Sequence, residues 1–208
     1  MADYDLARKA TEGQDLTSEK FQKLGKGMNK VCYLINLYKN WVVLAVKDTN
    51  TRIIKDMKDE LSQLIHLRGK GVLVPDLGTT LKESDKAESY LVKVKEKNIN
   101  MTGFLQEYIY GIEMSKNEMM NFWGTIDDYT KKDAKKRKTA LIDIENILSY
   151  MEKENKQIPD FQVKFNQING HLYVIDPGNE NTSGNYLDKQ KEALKYWISK
   201  LQPPKKLW

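Results

Sequence analysis

The stretch IPDFQVKFNQINGHLYVIDPGN, residues 158–179, decides how this sequence is interpreted. Its strand-like pieces FQVKFN and HLYVID flank the turn QING, and this pattern predicts a β-hairpin. Asp160, Asn166 and Asp176 lie at the edges of the two pieces. Burying an unpaired carboxylate costs several kcal/mol, and an ordinary hairpin carries no such set of side chains. We therefore interpret the hairpin as part of a functional site.

The three polar side chains suggest a metal site beside a proton acceptor. Asp176 ends an apolar strand and precedes a Pro-Gly pair, and Asn166 ends the companion strand. A carboxylate oxygen and an amide oxygen side by side suit Mg²⁺, which combines one or two protein ligands with phosphate oxygens. Asp160, six positions before Asn166, is placed to accept a proton from an incoming hydroxyl. A plain turn role stays open for Asp160 and Asp176, because Asp is common in turns.

The segment GKGMNK, residues 25–30, carries two glycines between two predicted strands. Gly25 and Gly27 would let the backbone approach an anion and offer it N–H groups. A glycine pair in a hairpin is also typical of a simple turn, so the segment alone is a weak indication.

A lysine and a glutamate follow the glycine segment. Lys47 ends the predicted strand WVVLAVK, and Glu60 lies on the apolar face of a predicted helix. A carboxylate on such a face needs a cation, and Lys47 is the first candidate. Asp59 and Glu96 remain alternatives to Glu60 as the partner of Lys47.

The order of predicted elements indicates an α+β protein of two lobes. We expect a flexible N-terminal tail over residues 1–16 and a β-rich N-terminal lobe with one helix over residues 17–110. A mainly helical C-terminal lobe with the hairpin is expected over residues 111–208. Helical periodicity is strongest in KTALIDIENILSYMEKE and YLDKQKEALKYWISKL.

Composition excludes several classes of protein. The chain has 208 residues and 40% hydrophobic residues, and no apolar run approaches the ~18 residues of a membrane helix. The net charge of +5 is weak evidence for nucleic-acid binding. Cys32 is the single cysteine, so neither an intrachain disulfide nor a cysteine-based zinc site is expected. The basic block KKDAKKRK, residues 131–138, is interpreted as a solvated helix flank or as a contact with an anionic partner.

Taken in order, these features resemble a protein kinase. The chain has a glycine-rich loop, LAVK in place of VAIK, a helix glutamate and a hinge-like FLQEYIYG. A catalytic Asp…Asn pair and DPG in place of DFG follow. The departures are Lys30 at the third glycine position, Cys32 at the valine position and IPD in place of HRD.

The resemblance implies a role for each candidate residue. Lys47 would bind the α- and β-phosphates of ATP and pair with Glu60, while Asp160 would orient the attacking hydroxyl. Asn166 and Asp176 would hold Mg²⁺. The residues expected to contact the nucleotide are Gly25, Gly27, Lys47, Gln106, Glu107 and Tyr108.

Length points to a reduced kinase. Only 32 residues follow Asp176, too few for a full activation segment and a complete C-terminal lobe. The chain therefore resembles a minimal, bilobal kinase fold, like the compact kinases that bacterial pathogens secrete into host cells. The family that phosphorylates the eukaryotic ATP-driven heat-shock chaperone is the nearest resemblance.

The resemblance implies a monomeric Ser/Thr protein kinase that uses ATP and Mg²⁺ on a host protein, such as that chaperone. Neither nucleic acid nor membrane is expected as a partner. The start of the chain lacks the form of a cleavable signal peptide, so we expect secretion into the host cytoplasm by another route, or else a place in the bacterial cytoplasm. The alternatives are a small-molecule phosphotransferase and a nucleotide-binding pseudokinase that acts as an interaction module.

Overall fold

The computed structural model describes residues 2–26, 30–78, 87–114, 118–178 and 186–202. The chain forms two compact units. Unit 1 comprises Met1–Ile65 and Pro75–Ile109, and unit 2 comprises His66–Val74 and Tyr110–Trp208. Unit 1 contains an antiparallel sheet with helices, and unit 2 is mainly helical with a small sheet. The predicted α+β class is confirmed.

Unit 1 is built on a five-stranded antiparallel sheet in the order β1-β2-β3-β5-β4. β-Branched and aromatic residues in these segments favour extended structure. One face of the sheet buries a continuous apolar cluster that includes Tyr33, Val43 and Ala45. The strands are β1 (Phe21–Lys26), β2 (Val31–Ile35), β3 (Trp41–Lys47), β4 (Leu91–Glu96) and β5 (Ile99–Glu107).

The first 16 residues are not a flexible tail, and that expectation is corrected here. Helix α1 (Ala2–Thr11) packs Tyr4 and Ala7 into the apolar cluster of the sheet. The Tyr4 side chain is only 2% exposed, and its ring lies 5.2 Å from that of Trp41. The backbone N–H of Leu16 donates to Lys95 O at 2.8 Å, at the β4 edge of the sheet. The buried residues of this helix are few, but Tyr4, Ala7 and Thr11 lie at three- and four-residue steps and form one stripe, whereas Leu6 is exposed.

Helix α2 (Thr51–Gly69) follows the central strands. Asn50 caps it, because its side-chain oxygen accepts from the backbone N–H groups of Arg52 and Ile53. Apolar residues at three- and four-residue steps form its buried face, as the periodicity predicts. Glu60 lies on the same face and is 5% exposed.

The described residues of unit 2 form three helices and a three-stranded sheet in the order β6-β7-β8. Asp133 caps the second helix, accepting from Lys136 N at 3.0 Å, and Asn155 ends that helix in the left-handed region at φ 50°. The elements are β6 (Ile112–Glu113), α3 (Phe122–Thr130), α4 (Ala134–Glu154), β7 (Gln162–Phe165), β8 (Leu172–Asp176) and α5 (Leu187–Leu201). Among the helices of the described ranges, none is both long and apolar enough to cross a membrane.

The basic block at residues 131–138 forms the approach to α4 and its first turn. Arg137 pairs with Asp127 of α3 and also donates to Leu201 O at 3.2 Å. Lys136 donates to Gln167 O in the hairpin turn at 3.0 Å. These bonds tie the helix flank to three other segments of unit 2, so Lys136 and Arg137 are not simply solvated.

Candidate functional site

The register of the β7–β8 hairpin decides which polar residues meet. The Cα partner of Asp176 in β7 is Gln162, and Phe165 pairs with Leu172 at the other end. Asp176 therefore lies at the open end of the hairpin, beside Gln162. An irregularity between Gln162 and Val163 adjusts the pairing at that end.

Asn166 lies at the opposite end of the hairpin, at the turn. Its Oδ1 accepts from the backbone N–H groups of Ile168 at 2.9 Å and Asn169 at 3.3 Å, so it caps the turn. Asn166 is four positions beyond Gln162, the partner of Asp176, which is about 13 Å at the rise of an extended strand. The structure thus corrects the expected pairing of Asn166 with Asp176: the short connection from Asp160 to β7 leaves Asn166 at the turn.

Asp160 lies against the segment that follows Asp176. Its backbone N–H donates to Pro177 O at 3.1 Å. A Cβ on Gly178 would lie 2.8 Å from the Cβ of Asp160, and the φ of Gly178 is +64°, so the close approach requires glycine on two grounds. The Gln162 amide donates to Asp160 Oδ2 at 3.1 Å. The carboxylates of Asp160 and Asp176 and the amide of Gln162 are therefore carried by adjoining segments of the chain.

Helix α5 holds the segment around Asp160 from both sides. The buried Gln190 amide accepts from Ile158 N at 3.1 Å and donates to Ile158 O at 2.7 Å. One residue beyond Asp160, the Phe161 ring stacks on Trp197 at 6.4 Å between centroids. This two-point attachment fixes the backbone that carries the Asp160 carboxylate.

The donor set at this end of the hairpin fits Mg²⁺. In the described part of the chain, no group of three or more His, Cys, Asp and Glu side chains could hold a metal ion. Mg²⁺ does not need such a cage, because it keeps waters and binds one or two carboxylates together with phosphate oxygens. Asp176 and the Gln162 amide oxygen would supply ligands of that kind, with the Asp160 carboxylate beside them.

Helix α4 fixes the other strand of the hairpin through a buried carboxylate. Asp143 Oδ2 accepts from Leu172 N at 3.0 Å and lies 2.9 Å from His171 Nδ1. Burial raises the pKa of Asp143 above its ordinary value of 3.8, while the hydrogen bonds from Leu172 and His171 oppose the rise. The folded chain therefore binds this proton more tightly than the unfolded chain does.

This shift predicts a pH-dependent effect of Asp143→Asn. A raised folded-state pKa gives stability that is fully present below the unfolded pKa and is lost as pH rises through the folded pKa. The free energy of unfolding of the variant, relative to wild type, should therefore increase as pH rises from about 3.8 and level off above the folded pKa. Urea unfolding at a series of pH values measures this difference.

Glu145→Gln, on the exposed side of the same helix, controls for the loss of one negative charge. A difference between Asp143→Asn and wild type that falls with rising pH would contradict the assigned shift.

The glycine segment of unit 1 brings a different lysine to Glu60 than the sequence suggested. Gly25 lies in β1 opposite Cys32, whereas Gly27 lies outside the described residues. Lys30 directly precedes β2, and its ammonium forms an ion pair with Glu60. The predicted partner of Glu60 was Lys47, so this pairing is corrected.

Lys47 is exposed at the end of β3 and lies near a different carboxylate. The hydrogen bond from Tyr33 is the largest influence that lowers the pKa of Glu96, and the charges of Lys23 and Lys47 lower it further. Tyr33 donates to Glu96 at 2.5 Å, and Lys23 lies 3.2 Å from the same oxygen. Glu96, one of the alternatives left open by the sequence, is therefore a close electrostatic neighbour of Lys47. The other alternative, Asp59, pairs with Lys55 at 3.0 Å.

The predicted adenine-binding residues lie at the end of β5. The backbone N–H of Glu107 donates to Asp76 O, and that of Tyr108 donates to Asn40 O, both at 2.7 Å. Both backbone donors are thus used inside unit 1. Gln106 Oε1 is buried and has no hydrogen-bond partner among the described residues, so it is the polar atom of this segment that a ligand could satisfy.

Sequence reasoning missed three residues of the candidate site: Lys30, Gln162 and Gln190. The signal for Gln162 was the position of the turn, because counting back from QING places residue 162 opposite 176. The signal for Gln190 was its helical spacing with Leu194 and Trp197. The choice of Lys30 depends on which faces of the sheet the helices cover.

Comparison with known proteins gives structural neighbours only. No protein-family model matches the chain, and no curated protein matches it. The solved structure of aminoglycoside phosphotransferase APH(2'')-Ib with ADP bound is similar with a TM-score of 0.42 and 15% identity, over 96% of this chain and 81% of that chain. The GDP and kanamycin complex of APH(2")-IIia is similar with a TM-score of 0.34 and 12% identity, over 89% and 83% of the two chains.

Proposed function

We propose that the chain is an ATP- and Mg²⁺-dependent phosphotransferase, and that it acts as a Ser/Thr protein kinase. The observation that supports this most strongly is the grouping of Asp160, Gln162 and Asp176 at the open end of one hairpin. Two carboxylates held beside an amide oxygen suit a phosphate-bound Mg²⁺. The ordered kinase-like motifs of the sequence give the group its proposed role.

Each residue of the group has a separate task. When bound, Mg²⁺ and ATP supply the transferable phosphoryl group and neutralise part of its charge. Asp176 and the Gln162 oxygen hold the metal. Asp160 orients the acceptor hydroxyl and accepts its proton, and the Gln162 N–H keeps that carboxylate in one orientation. Phosphoryl transfer depends mainly on such positioning and on electrostatic stabilisation.

The acceptor class follows from the resemblance to compact effector kinases. We propose a host protein as substrate, with the ATP-driven heat-shock chaperone as the first candidate, and action in the host cytoplasm. The chain is proposed to work as a monomer, without nucleic acid or membrane as a partner.

The test is transfer of labelled γ-phosphate from ATP by the purified chain. The reaction is run with Mg²⁺ and with EDTA, against a eukaryotic lysate, the purified chaperone and a panel of hydroxyl-bearing small molecules that includes kanamycin. We expect label on protein, dependent on Mg²⁺, at Ser or Thr positions that mass spectrometry identifies.

Each other outcome points to another function. Label on a small molecule alone would show a small-molecule phosphotransferase. A thermal shift with Mg-ATP but no transfer to any acceptor would indicate a nucleotide-binding interaction module. No shift and no transfer would refute the proposal.

Gln162→Ala and Asn166→Ser separate the two amides as metal ligands. Gln162→Ala should raise the Mg²⁺ concentration for half-maximal transfer by about 10- to 100-fold, because it removes an oxygen ligand and frees the Asp160 carboxylate to rotate. Asn166→Ser retains a side-chain oxygen for the turn and should leave this Mg²⁺ concentration unchanged. A Mg²⁺ titration of the transfer rate measures both, and a larger shift for Asn166→Ser would contradict the assignment.

A further inference from the structure

We propose that Lys30, rather than Lys47, is the lysine that binds the phosphates of the nucleotide, and that Glu60 holds it in place. This inference rests on the proposed phosphotransfer function. It replaces the lysine that the LAVK motif suggests with the lysine that directly precedes β2.

The first support is the buried ion pair. Glu60 is 5% exposed and the Lys30 side chain 24% exposed, so both charges are largely withdrawn from water. A buried carboxylate is costly unless a cation accompanies it, and here the cation is Lys30. The pair fixes a lysine ammonium to a helix carboxylate, which is the arrangement that phosphoryl transfer in kinases requires.

The second support is the alternation of side chains along the strands. Val31 pairs with Ala45 across β2 and β3, and both belong to the apolar cluster that α1 covers through Tyr4. Side chains two residues apart share a face, which places Lys47 on the face of Ala45. Lys47 helps to lower the pKa of Glu96, and Glu96 accepts a hydrogen bond from Tyr33 of that cluster. Both facts agree with this placement of Lys47.

By the same alternation, Lys30 belongs with Cys32, on the face opposite Val31. The ion pair with Glu60 shows that helix α2 serves this second face. A lysine on β3 would need an even-numbered position to reach it, and those positions in β3 are Val42, Leu44 and Val46. No residue of β3 on that face is therefore a lysine.

The third support is the position of Lys30 in the chain. Gly25 and Lys26 pair with Cys32 and Val31, so Lys30, which directly precedes Val31, lies at the same end of the β1–β2 pair as Gly25. A Cβ on Gly25 would meet nothing within 4 Å, so a ligand could approach the backbone there. The approachable backbone at Gly25 and the ammonium of Lys30 thus lie at the same end of the β1–β2 hairpin, and backbone N–H groups and positive charge both favour phosphate.

The inference is tested by comparing Lys30→Met with Lys47→Met in the full chain. Two quantities are measured for each variant: the dissociation constant for Mg-ATP, from fluorescence or calorimetric titration, and the rate of phosphate transfer to the acceptor of the wild-type chain. Lys30→Met should lower the transfer rate by about 10²–10³-fold and weaken Mg-ATP binding. The loss of transfer rate in Lys30→Met should exceed the loss of transfer rate in Lys47→Met by at least about tenfold.

Lys30→Met removes the ion pair of the buried Glu60 and is expected to destabilise the fold, so loss of transfer has to be separated from unfolding. A double variant, Lys30→Met with Glu60→Leu, removes both charges and is expected to fold, since apolar replacement of a buried ion pair is often neutral for stability. Its transfer rate should be as low as that of Lys30→Met. Lys55→Met, which removes the exposed partner of Asp59 on the same helix, is the control for loss of one lysine.

The outcomes distinguish this inference from the proposed function. A wild-type chain that neither binds nor transfers would defeat both. If the wild type is active and the folded double variant transfers phosphate at the wild-type rate, the role of Lys30 is overturned while the proposed function stands. A greater loss in Lys47→Met than in Lys30→Met would return the phosphate-binding role to Lys47.

Discussion

Asp176→Asn is expected to lower the rate of phosphate transfer by about 10²–10³-fold, the loss typical when one charge-stabilising group is removed from a transition state. The reason is local. Asp176 ends β8 beside Gln162, and Pro177 and Gly178 contact Asp160, so Asp176 is the carboxylate proposed to hold Mg²⁺ in this group. Asparagine keeps the size of the side chain and removes the charge proposed to hold Mg²⁺ against phosphate oxygens.

The measurement is the single-turnover rate at saturating Mg-ATP, with circular dichroism and a thermal unfolding curve to show that the variant is folded. Asp128→Asn is the matched control, because Asp128 is an exposed carboxylate of the same unit that pairs with Lys131 at 3.0 Å. Its rate should equal that of the wild type. If Asp176→Asn transferred phosphate as fast as Asp128→Asn, the hairpin could not be the metal site, and the proposed function would fall with it.

The regular elements of the fold were predictable because their signals are local. The periodicity of α4 and α5 and the β-branched runs of β2 and β3 each depend on a few neighbouring residues. Helix α1 was not recognised, since its polar composition suggested a tail. What makes it a helix is burial of Tyr4 and Ala7 against the sheet, and that contact joins residues far apart in sequence.

The candidate site was predictable in its location and not in its pairings. The hairpin and Asp160 and Asp176 follow from the sequence, but the expectation that two strand ends meet placed Asn166 beside Asp176. The strand register decides otherwise, because β7 begins two residues after Asp160 and carries Asn166 to the turn. A shift of register moves every side chain of a strand, so the positions of the strand ends alone do not decide which residues meet.

The partner of Glu60 shows a second limit. Lys47 and Lys30 are both lysines near the glycine segment, and the sequence motif favours Lys47. The choice depends on the face of the sheet that each helix covers, and α1, the element that occupies the face of Ala45, was the one not recognised. One missed helix therefore changed the assignment of a lysine more than 30 residues away.

Trp197→Ala is expected to destabilise the chain by about 3–5 kcal/mol, the range for truncating a large buried aromatic residue. Trp197 is fully buried, and its indole N–H donates to Met119 O at 2.7 Å. Its ring contacts Phe122 of α3 and Phe161 beside Asp160. Truncation would open a cavity where α3, α5 and the Asp160 segment meet, and it would leave a backbone carbonyl without its donor.

A loss of this size is a large part of the ~5–15 kcal/mol that stabilises a typical domain, so urea unfolding should show a much lower midpoint. Trp123→Ala is the matched control: that ring packs on Tyr196 and under the ammonium of Lys200 near the surface, and its loss should cost about 1 kcal/mol or less. Trp197→Phe keeps an aromatic ring and should fall between the two. Because Phe161 stacks on Trp197, faster hydrogen exchange at residues 158–162 should accompany the destabilisation in Trp197→Phe. Equal unfolding midpoints for Trp197→Ala and Trp123→Ala would contradict the role assigned to Trp197 in the packing of α3, α5 and the Asp160 segment.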